Sequence, residues 1–569
     1  MAIAFLALAA AVAIRPVLVT AALGHGSGSL LSVSRSEWEA FNESVSGRLY
    51  DGVPILAPCY GVYNGEEQVQ ILDTERCNTI QENRRDHSFV SDRFGGYQEL
   101  NWGGCQATGD SCAMKMTVPD LDTPATRPCL QGSVPWRYVD ARSVEDVQRT
   151  LLFAKQKGMR LVVKNTGHDY LGRSSAPDSF ALWTHHIQPP IELTKEFVPE
   201  KCSEAVGDVI TFGAGQQFGG VYEFANAHGY RVVGGTSPSV GIAGGWTAGG
   251  GHSMLSNELG LGVDNVQQVK AVFPDGTYIT VSRCQNQDIF YALRGGGGGT
   301  FGVVTEMSYS VHPKKPMQFA RVSIAGVNEN VVSEFFSVVV ANADRWASEG
   351  WGGYIIPAAA GGTSTVSLGT TMLDLSEAQA SMQPLIDLAN RRGDSGALGN
   401  ATVITADYHN ILQAIIAREE DLIFPSSAWA FSSRLIPRES FADDQQRLSS
   451  ALHNILTTAQ EQNVAASSAL LIYAFDGTTT DPTTVQQIWQ TTHDLMNQLR
   501  DLTPGGGAYQ NEADPFEPDP TNSFWGRENY ARLLQIKREV DPTNLLTVHN
   551  GVGWDETDGR YSCYPDIKV

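Results

Sequence analysis

The sequence concentrates glycine in three segments whose composition indicates loops that hold a phosphate-bearing ligand. The first segment, 165–168, follows a predicted strand, the second is 234–251 and the third is 295–302. Glycine lets the backbone approach a ligand closely and present its N–H groups to phosphate oxygens. The second segment adds the hydroxyl groups of Thr236, Ser237 and Ser239. The segments predict a dinucleotide site or, as the alternative, tight turns that bind nothing.

The spacing of the glycines does not match two common nucleotide motifs. Gly213 and Gly215 begin a GxG pattern, but Phe218 stands where the third glycine of a dinucleotide fingerprint belongs. The sequence GxxxxGK[ST] of a P-loop does not occur in the chain. A dinucleotide would therefore be held by loops of another kind.

Five parts of the chain resemble one flavoenzyme superfamily and follow its order. Residues 136–147 and 163–172, the latter containing Asn-Thr-Gly-His, resemble the FAD domain of the vanillyl-alcohol oxidase / p-cresol methylhydroxylase superfamily. Residues 288–304 and 525–544 resemble its berberine-bridge-enzyme branch. Residues 37–60 are similar to the secreted fungal isoamyl-alcohol-oxidase-like subgroup. The resemblance spans essentially the whole chain after its leader.

This resemblance implies an α+β fold in which two mixed subdomains clamp FAD. We expect a signal peptide at 1–22, a cysteine-bearing region at 23–130 and the FAD-binding domain at 131–315. A substrate domain at 316–510 would place an antiparallel sheet, backed by helices, over the isoalloxazine ring. The C-terminal segment 511–569 would return to the FAD domain.

The resemblance also implies a covalent bond between His168 and the flavin. His168 ends the stretch Lys164–His168, which matches the family's RSGGH motif with lysine in place of arginine. Family members with a second link carry cysteine in a CPTVG motif, where this chain has Ser237. Because a serine hydroxyl is far less nucleophilic than a thiolate, we expect a single link. Gly245 stands where many members carry histidine, and His252 follows seven residues later.

Further cofactor contacts follow from the same matches to the family. The residues expected to contact FAD besides His168 are Lys164, Asn165, Thr166, Gly167, Thr236, Ser237, Ser239, Gly241, Gly244, Val304, Asn529 and Tyr530.

Oxidation of an alcohol sends a hydride to the flavin and a proton to a base, for which tyrosines are the candidates. Tyr170 matches a family tyrosine beside the flavin, and its alternative role is to orient the substrate. Tyr408 and Tyr473 are weaker candidates. Several aromatic residues suit an apolar or ring-bearing substrate, although core packing explains them equally well. They are Trp346, Trp351, Tyr354, Trp429 and Phe431.

Three functions fit these residues. The first is an alcohol oxidase that uses a small-molecule substrate and oxygen. The second is a tailoring oxidase that dehydrogenates or cyclises a natural product. The third is a secreted binding protein without catalytic activity.

The leader and the cysteines indicate export. Residues 1–14 form an apolar run that is too short to span a bilayer, and Ala21 and Ala22 offer a cleavage site. Asn42 and Asn400 begin glycosylation sequons. The chain has eight cysteines, and proximity alone suggests the pairs Cys59–Cys77 and Cys105–Cys112.

Composition argues against several other classes of partner. The net charge of −22 repels phosphate backbones, so we expect no nucleic acid. Neither a CxxC pair nor an HExxH motif accompanies His185 and His186, so we expect no metal site. Beyond the leader, no run of 18 uncharged apolar residues indicates a membrane helix.

Local patterns predict the elements that position the glycine-rich segments. Ser143 and Asp146 predict a helix start, and Gly158 its end. Pro274-Asp-Gly276 predicts a hairpin between 269–273 and 278–281. Further predicted elements are strands at 160–164, 303–311 and 469–474, helices at 36–42, 376–391 and 442–462, and a tail helix that ends before Asp541 and precedes a short strand.

Overall fold

The N-terminal part of the chain is more helical than its composition suggests. The computed structural model describes residues 30–569 apart from 31, 65, 68–72, 113–127, 327, 392–397, 423–427, 463–464, 468–469 and 476–478, so the predicted leader lies outside the described residues. A capping box between Ser34 and Glu37 starts the first helix. Two further helices, each capped by an aspartate, follow in the cysteine-bearing region. The elements are α1 (Arg35–Ser44), β1 (Leu49–Asp51), β2 (Val62–Tyr63), β3 (Glu66–Glu67), α2 (Thr74–Asn83) and α3 (His87–Ser91).

The first sheet carries the first glycine-rich segment at the end of one strand. Its strand order is β1-β4-β6-β5, with β4, β6 and β5 parallel and β1 antiparallel to β4. The predicted capping box of Ser143 and Asp146 is confirmed, and Gly158 ends the helix with φ 60°. The new elements are β4 (Arg137–Asp140), α4 (Val144–Lys157), β5 (Leu161–Lys164) and β6 (Phe180–Trp183).

The second sheet is antiparallel and contains the predicted hairpin. Its order is β11-β10-β12-β8-β7, and β10 pairs with β11 around the turn at 274–276. Part of the second glycine-rich segment forms a π-helical turn at Ile242–Trp246. The elements are β7 (Glu192–Thr194), β8 (Val209–Gly213), α5 (Phe218–Ala227), β9 (Tyr230–Arg231), α6 (Ser256–Leu259), β10 (Val266–Val272), β11 (Tyr278–Ser282), α7 (Gln287–Leu293), β12 (Val303–Ser310) and β13 (His312–Pro313).

The third sheet is antiparallel, has the order β15-β16-β14-β17, and is covered on one face by helices. Alternate residues of β14 (Ala320, Val322 and Ile324) pack with apolar residues of α8 and α9. The opposite face of the sheet is called the inner face below. The elements are β14 (Pro316–Ala325), α8 (Glu329–Ser348), β15 (Gly352–Ile356), β16 (Thr363–Thr370), α9 (Leu375–Asn390), β17 (Leu398–Asp407), α10 (Tyr408–Leu422), β18 (Ala428–Ser433), α11 (Arg438–Asp443), α12 (Gln445–Glu461), β19 (Ala465–Ser467), β20 (Leu470–Phe475) and α13 (Pro482–Leu502).

The C-terminal tail packs back onto the second sheet and the third glycine-rich segment. Its helices are α14 (Pro520–Trp525) and α15 (Arg527–Val540). The Lys537 ammonium is buried and donates to the Thr300 carbonyl at 2.7 Å and to Asp541 at 2.6 Å. The short strand predicted after Asp541 does not form, because that carboxylate accepts the N–H groups of Leu545 and Leu546 and holds the chain in a turn.

All eight cysteines form disulfides, and one pair corrects the prediction from proximity. Cys59–Cys77 is confirmed. Cys105–Cys112 is wrong, because the tail runs beside the Cys105 loop and brings Cys563 to a Cα–Cα distance of 4.5 Å. The other two bonds are Cys112–Cys129 and Cys202–Cys284.

The mixture of one mixed sheet, antiparallel sheets and packed helices confirms the predicted α+β class. Within the described ranges, none of the helices is long and apolar enough to cross a membrane. In the same residues, no three His, Cys, Asp or Glu side chains are grouped so that they could hold a metal ion.

Candidate functional site

A cavity of about 710 Å³ lies where the glycine-rich segments meet the inner face of the third sheet. Its volume falls within the roughly 300–1,000 Å³ typical of ligand and cofactor sites. Strands β14, β15 and β16 contribute one wall, and the three glycine-rich segments contribute another. The predicted cofactor contacts that line it are Asn165, Thr166, Gly167, His168, Thr236, Ser237, Gly241, Gly244 and Val304.

His168 lies in the cavity wall, four residues beyond the end of β5, with its ring fixed from two sides. Its Nε2 atom lies 2.7 Å from the hydroxyl of Ser239, which is fully buried. The His87 ring stacks on it with centroids 5.7 Å apart. Burial, and secondarily the neighbouring His87, lower the pKa of His168 well below its usual value. The imidazole is therefore neutral near pH 7 and keeps a lone pair on one nitrogen.

The loop before His168 presents an unsatisfied acceptor in the cavity wall. Asn165 donates through its side-chain amide to Thr184 and to the Ala214 carbonyl. Its Oδ1 atom is buried and, among the described residues, has no hydrogen-bond partner. A buried acceptor of this kind costs free energy unless a ligand N–H or O–H satisfies it. The atom also explains Gly241, because a Cβ there would lie 2.3 Å from it.

The second and third glycine-rich segments touch through their backbones. A Cβ on Gly298 would lie 2.8 Å from the Cα of Gly245, a distance that real Cβ atoms do not reach. This close approach forms a cradle in which side chains are excluded from the cavity floor. The main-chain N–H groups that glycine exposes are the donors that suit a pyrophosphate.

An aromatic stack closes another side of the cavity. The Tyr170 ring lies parallel to Phe431 at 4.3 Å and to Trp429 at 6.3 Å. Tyr354 also lines the cavity, and its hydroxyl lies 3.0 Å from the Thr236 hydroxyl. Trp346 and Trp351, by contrast, are buried in the helix-covered core, so packing explains them.

The C-terminal tail adds an ion pair that the sequence did not suggest. His252 and Glu512 line the cavity and lie 2.9 Å apart. The Glu512 carboxylate raises the pKa of His252. Tyr509 and Asn511 are also in the wall and hydrogen bond to each other at 2.8 Å.

Glu99 is a buried carboxyl group in the cavity wall, 7% exposed. Burial, and secondarily the Asp169 charge, raise the pKa of Glu99 to about 8. The Asp169 N–H donates to it at 3.4 Å. Glu99 is therefore mostly protonated at neutral pH.

Family models match two parts of this chain. One, described as "FAD binding domain", matches residues 135–282. The other, described as "Berberine and berberine like", matches residues 508–553.

Two curated fungal relatives extend the likeness over most of the chain. The FAD-linked oxidoreductase cheF of Chaetomium globosum is 32% identical over 561 residues, which cover 93% of this chain and 88% of that protein. The chain belongs to the FAD-linked oxidoreductases, in the berberine-bridge-enzyme branch of the vanillyl-alcohol oxidase superfamily. The FAD-linked oxidoreductase phmC of Phaeosphaeria nodorum is 36% identical over 366 residues, 64% of this chain and 75% of that protein.

Solved structures agree with this membership. The VAO-type flavoprotein MtVAO615 of Myceliophthora thermophila has a TM-score of 0.79 and 25% identity, covering 93% of this oxidoreductase and 97% of that chain. Berberine bridge enzyme shares the fold, with a TM-score of 0.57 at 16% identity. The family resemblance found in the sequence is confirmed. The chain is an oxidoreductase, so the alternative of a binding protein without catalytic activity is wrong.

The observed cavity fits FAD, the cofactor of this family of oxidoreductases. The glycine cradle suits a pyrophosphate, the unpaired Asn165 oxygen suits a donor of the bound group, and the neutral His168 suits attachment. The roles of the individual residues stay predictions.

Four residues expected to touch the cofactor lie outside the wall. Lys164 points away from the cavity, where its ammonium donates to the carbonyls of Phe94 and Gly96 at 2.7 Å each. Burial lowers the pKa of Lys164 to about 7. Ser239 lies behind the wall, where its hydroxyl contacts His168 at 2.7 Å and Ser237 at 3.4 Å. Asn529 and Tyr530 lie on α15, where Asn529 pairs with Tyr291 and Tyr530 packs on Trp525.

Of the two tyrosines that are weaker candidates for the base, Tyr408 does not lie with Tyr170 in the cavity wall. Tyr408 is 5% exposed, packs in the core of the second sheet and is not in the cavity wall. Burial raises its pKa to about 12, which makes it a poor proton acceptor. Tyr473 pairs with Ala430 along β20, but its side chain lies outside the described residues.

The wall residues that sequence reasoning missed come from distant segments. Glu99, Glu512 and Tyr509 precede or follow the glycine-rich segments by many residues and carry no motif of their own. For His252, which also lines the wall, the sequence offered one signal: the residue directly follows the second glycine-rich segment.

Proposed function

We propose that this oxidoreductase oxidises a small or apolar alcohol with oxygen as the electron acceptor, and that it holds FAD through one covalent bond to His168. The observation that carries the proposal is the neutral His168, restrained by Ser239, in the wall of the same cavity that Tyr170 lines. When bound, FAD accepts a hydride from the alcohol carbon and passes two electrons to oxygen, which yields hydrogen peroxide and a carbonyl product.

Residues of the chain bind the cofactor, attach it and orient the attachment site. Asn165, Gly241 and the cradle of Gly245 and Gly298 hold the cofactor, and His168 anchors it. A single anchor is expected because Ser237 replaces the second nucleophile. Ser239 restrains the orientation of the His168 ring through the Nε2 contact.

Tyr170 is proposed to take the hydroxyl proton of the substrate. Its ring is held parallel to Phe431 and Trp429, so the phenol has a fixed direction in the cavity wall. The same stack excludes water from one side of the site and suits an apolar substrate.

A natural-product substrate is the second candidate, since the aromatic stack fits a ring-bearing molecule. Dehydrogenation or oxidative cyclisation of such a molecule would use the same hydride transfer. Peroxide release with simple alcohols separates the two candidates, because a tailoring oxidase would leave simple alcohols unoxidised.

Export of the enzyme is part of the proposal. The four disulfides need an oxidising compartment, and the apolar leader supplies the route. The mature chain is expected to begin near residue 22 and to be glycosylated at Asn400, which is exposed on β17.

The test of the anchor is acid precipitation followed by peptide mapping. Wild-type protein should precipitate with its yellow flavin, and the flavin mass should lie on the peptide that contains His168. His168→Ala should release free FAD, whereas Ser237→Ala should not. Free FAD in the wild-type supernatant, or flavin on another peptide, would contradict the proposal.

A further inference from the structure

We propose that Arg321 binds a carboxylate of the substrate, so that the preferred substrates are alcohols that also carry an acid group. This inference rests on the proposed alcohol oxidation and narrows its substrate class. Arg321 is exposed and lines the same cavity as His168 and Tyr170.

The position of Arg321 follows from the alternation of β14. Ala320 and Val322 pack against the covering helices, so Arg321 between them points to the inner face. Phe319, two residues earlier, lines the cavity as well. The guanidinium is therefore carried by a central strand of a four-stranded sheet, which is a rigid support.

Arg321 belongs to a polar row that crosses the inner face. Arg321 is directly opposite Ser367 on β16, and Ser367 is directly opposite Tyr354 on β15. Residues opposite each other in antiparallel strands have Cβ atoms about 4.5–5.5 Å apart. All three line the cavity, and the Tyr354 hydroxyl reaches Thr236 in the second glycine-rich segment. The row thus runs from the Arg321 guanidinium to Thr236 in the second glycine-rich segment.

Other charged groups of the wall are already paired. Arg173 contacts Asp169 and Asn511, and His252 contacts Glu512. The side chain of Arg321 has neither an ion pair nor a hydrogen bond to any residue that the structure describes, whereas its backbone pairs within the sheet. A planar guanidinium presents two parallel N–H donors that match a carboxylate. In a chain with net charge −22, such a cation is what lets an anion enter the site.

The reaction leaves the anchored group unchanged. The carbon that bears the hydroxyl loses a hydride and the hydroxyl loses a proton, giving a carbonyl, while the carboxylate stays ionised and paired with Arg321. Arg321 acts on substrate binding, so removal of its guanidinium should raise KM or Kd more than it lowers kcat.

The experiment compares an acid with its neutral amide on the holoenzyme. Benzoate and benzamide are titrated against wild type, Arg321→Gln and Arg321→Lys while flavin absorbance is recorded. Wild type should bind benzoate at least tenfold more tightly than benzamide, and Arg321→Gln should remove that difference. Arg321→Lys should keep part of the preference for benzoate, because lysine supplies a positive charge but not the two parallel N–H donors of a guanidinium. Arg447→Gln, which removes an exposed arginine from α12, is the matched control and should behave as wild type.

Oxidation of 4-(hydroxymethyl)benzoate and 4-(hydroxymethyl)benzamide gives the second readout. Arg321→Gln should raise KM for the acid about tenfold to a hundredfold and leave the amide unchanged. Equal binding of benzoate and benzamide by wild type, or an equal loss for both in Arg321→Gln, would overturn the anion anchor. If neither alcohol reduces the flavin while the Arg321-dependent preference for benzoate persists, the proposed oxidation fails and the anchor stands.

Discussion

Around His168, burial and two neighbouring side chains act on one imidazole ring. Burial and the stacked His87 keep the ring neutral, and Ser239 restrains Nε2 at 2.7 Å. A neutral imidazole keeps the lone pair that a nucleophile needs, whereas a protonated ring has none available. These contacts give a local physical reason for histidine at the end of the first glycine-rich segment.

Tyr170→Phe tests the proposed proton acceptor. The substitution preserves the stack on Phe431 and removes only the hydroxyl. Loss of a general base slows the chemical step by roughly 10²–10⁴-fold. Anaerobic single-turnover reduction of the flavin at saturating substrate measures that rate, with FAD content determined separately. Tyr278→Phe, an exposed tyrosine on β11, serves as the control. An unchanged reduction rate would leave Tyr170 with a positioning role.

Glu99→Gln should change how stability depends on pH. Burial raises the pKa of Glu99 to about 8 in the folded protein, above its ordinary value of 4.5. A group with a raised folded-state pKa stabilises fully below its unfolded pKa, and this contribution is lost as pH rises through about 8. The Tm of Glu99→Gln relative to wild type should therefore increase between pH 5 and pH 8.5. Glu461→Gln, an exposed control at the end of α12, should show a constant difference, and a constant difference for Glu99→Gln would contradict the prediction.

At the scale of secondary-structure elements, the sequence patterns correctly predicted features that depend on residues close together in the chain. The capping box at Ser143, the stop at Gly158 and the hairpin at 274–276 depend on neighbours a few residues apart, and all three form. The family motifs likewise placed nine of the expected contacts in the cavity wall.

Contacts between distant segments were not predictable in the same way. Glu512 meets His252 across 260 residues, and Lys164 turns from the cavity to carbonyls some 70 residues earlier. Secondary-structure propensities and motif spacings do not predict such contacts, because the contacts depend on how whole sheets pack against one another. The failed strand after Asp541 has a similar cause, since a side-chain carboxylate replaced sheet partners for the backbone.

Gly298→Ala tests the contact between two loops that forms the cradle. Its methyl group would lie 2.8 Å from the Cα of Gly245, and backbone cannot move aside as a flexible side chain can. The loops should separate, so we expect a lower FAD content and a lower Tm in holoprotein preparations. Gly220→Ala in α5 is the control, because its nearest atom would be 3.5 Å away on a flexible glutamine. Full FAD occupancy in Gly298→Ala would show that the cradle tolerates a side chain.

At the scale of the whole molecule, the C-terminal tail completes part of the cavity wall and is bonded to the loop that contains Cys105. The tail contributes Tyr509, Asn511, Glu512 and Val548 to the wall, and it is anchored through Lys537 to the Thr300 carbonyl. Cys105–Cys563 then ties the last turn of the chain to the N-terminal region. The completed cavity therefore depends on the C-terminal tail returning to its place.

Removal of Cys105–Cys563 should destabilise the protein more than removal of a short-range disulfide. The Cys105 bond closes a separation of 458 residues, and the Cys59–Cys77 bond closes one of 18. The chain-entropy contribution of a disulfide grows with the logarithm of loop length, which makes the longer bond worth about 3 kcal/mol more. Cys105→Ala/Cys563→Ala should accordingly lose about that much more free energy of unfolding than Cys59→Ala/Cys77→Ala. Urea unfolding of both holoproteins, followed by tryptophan fluorescence, gives the comparison. Equal losses would contradict the dependence of disulfide stabilisation on loop length that underlies this prediction.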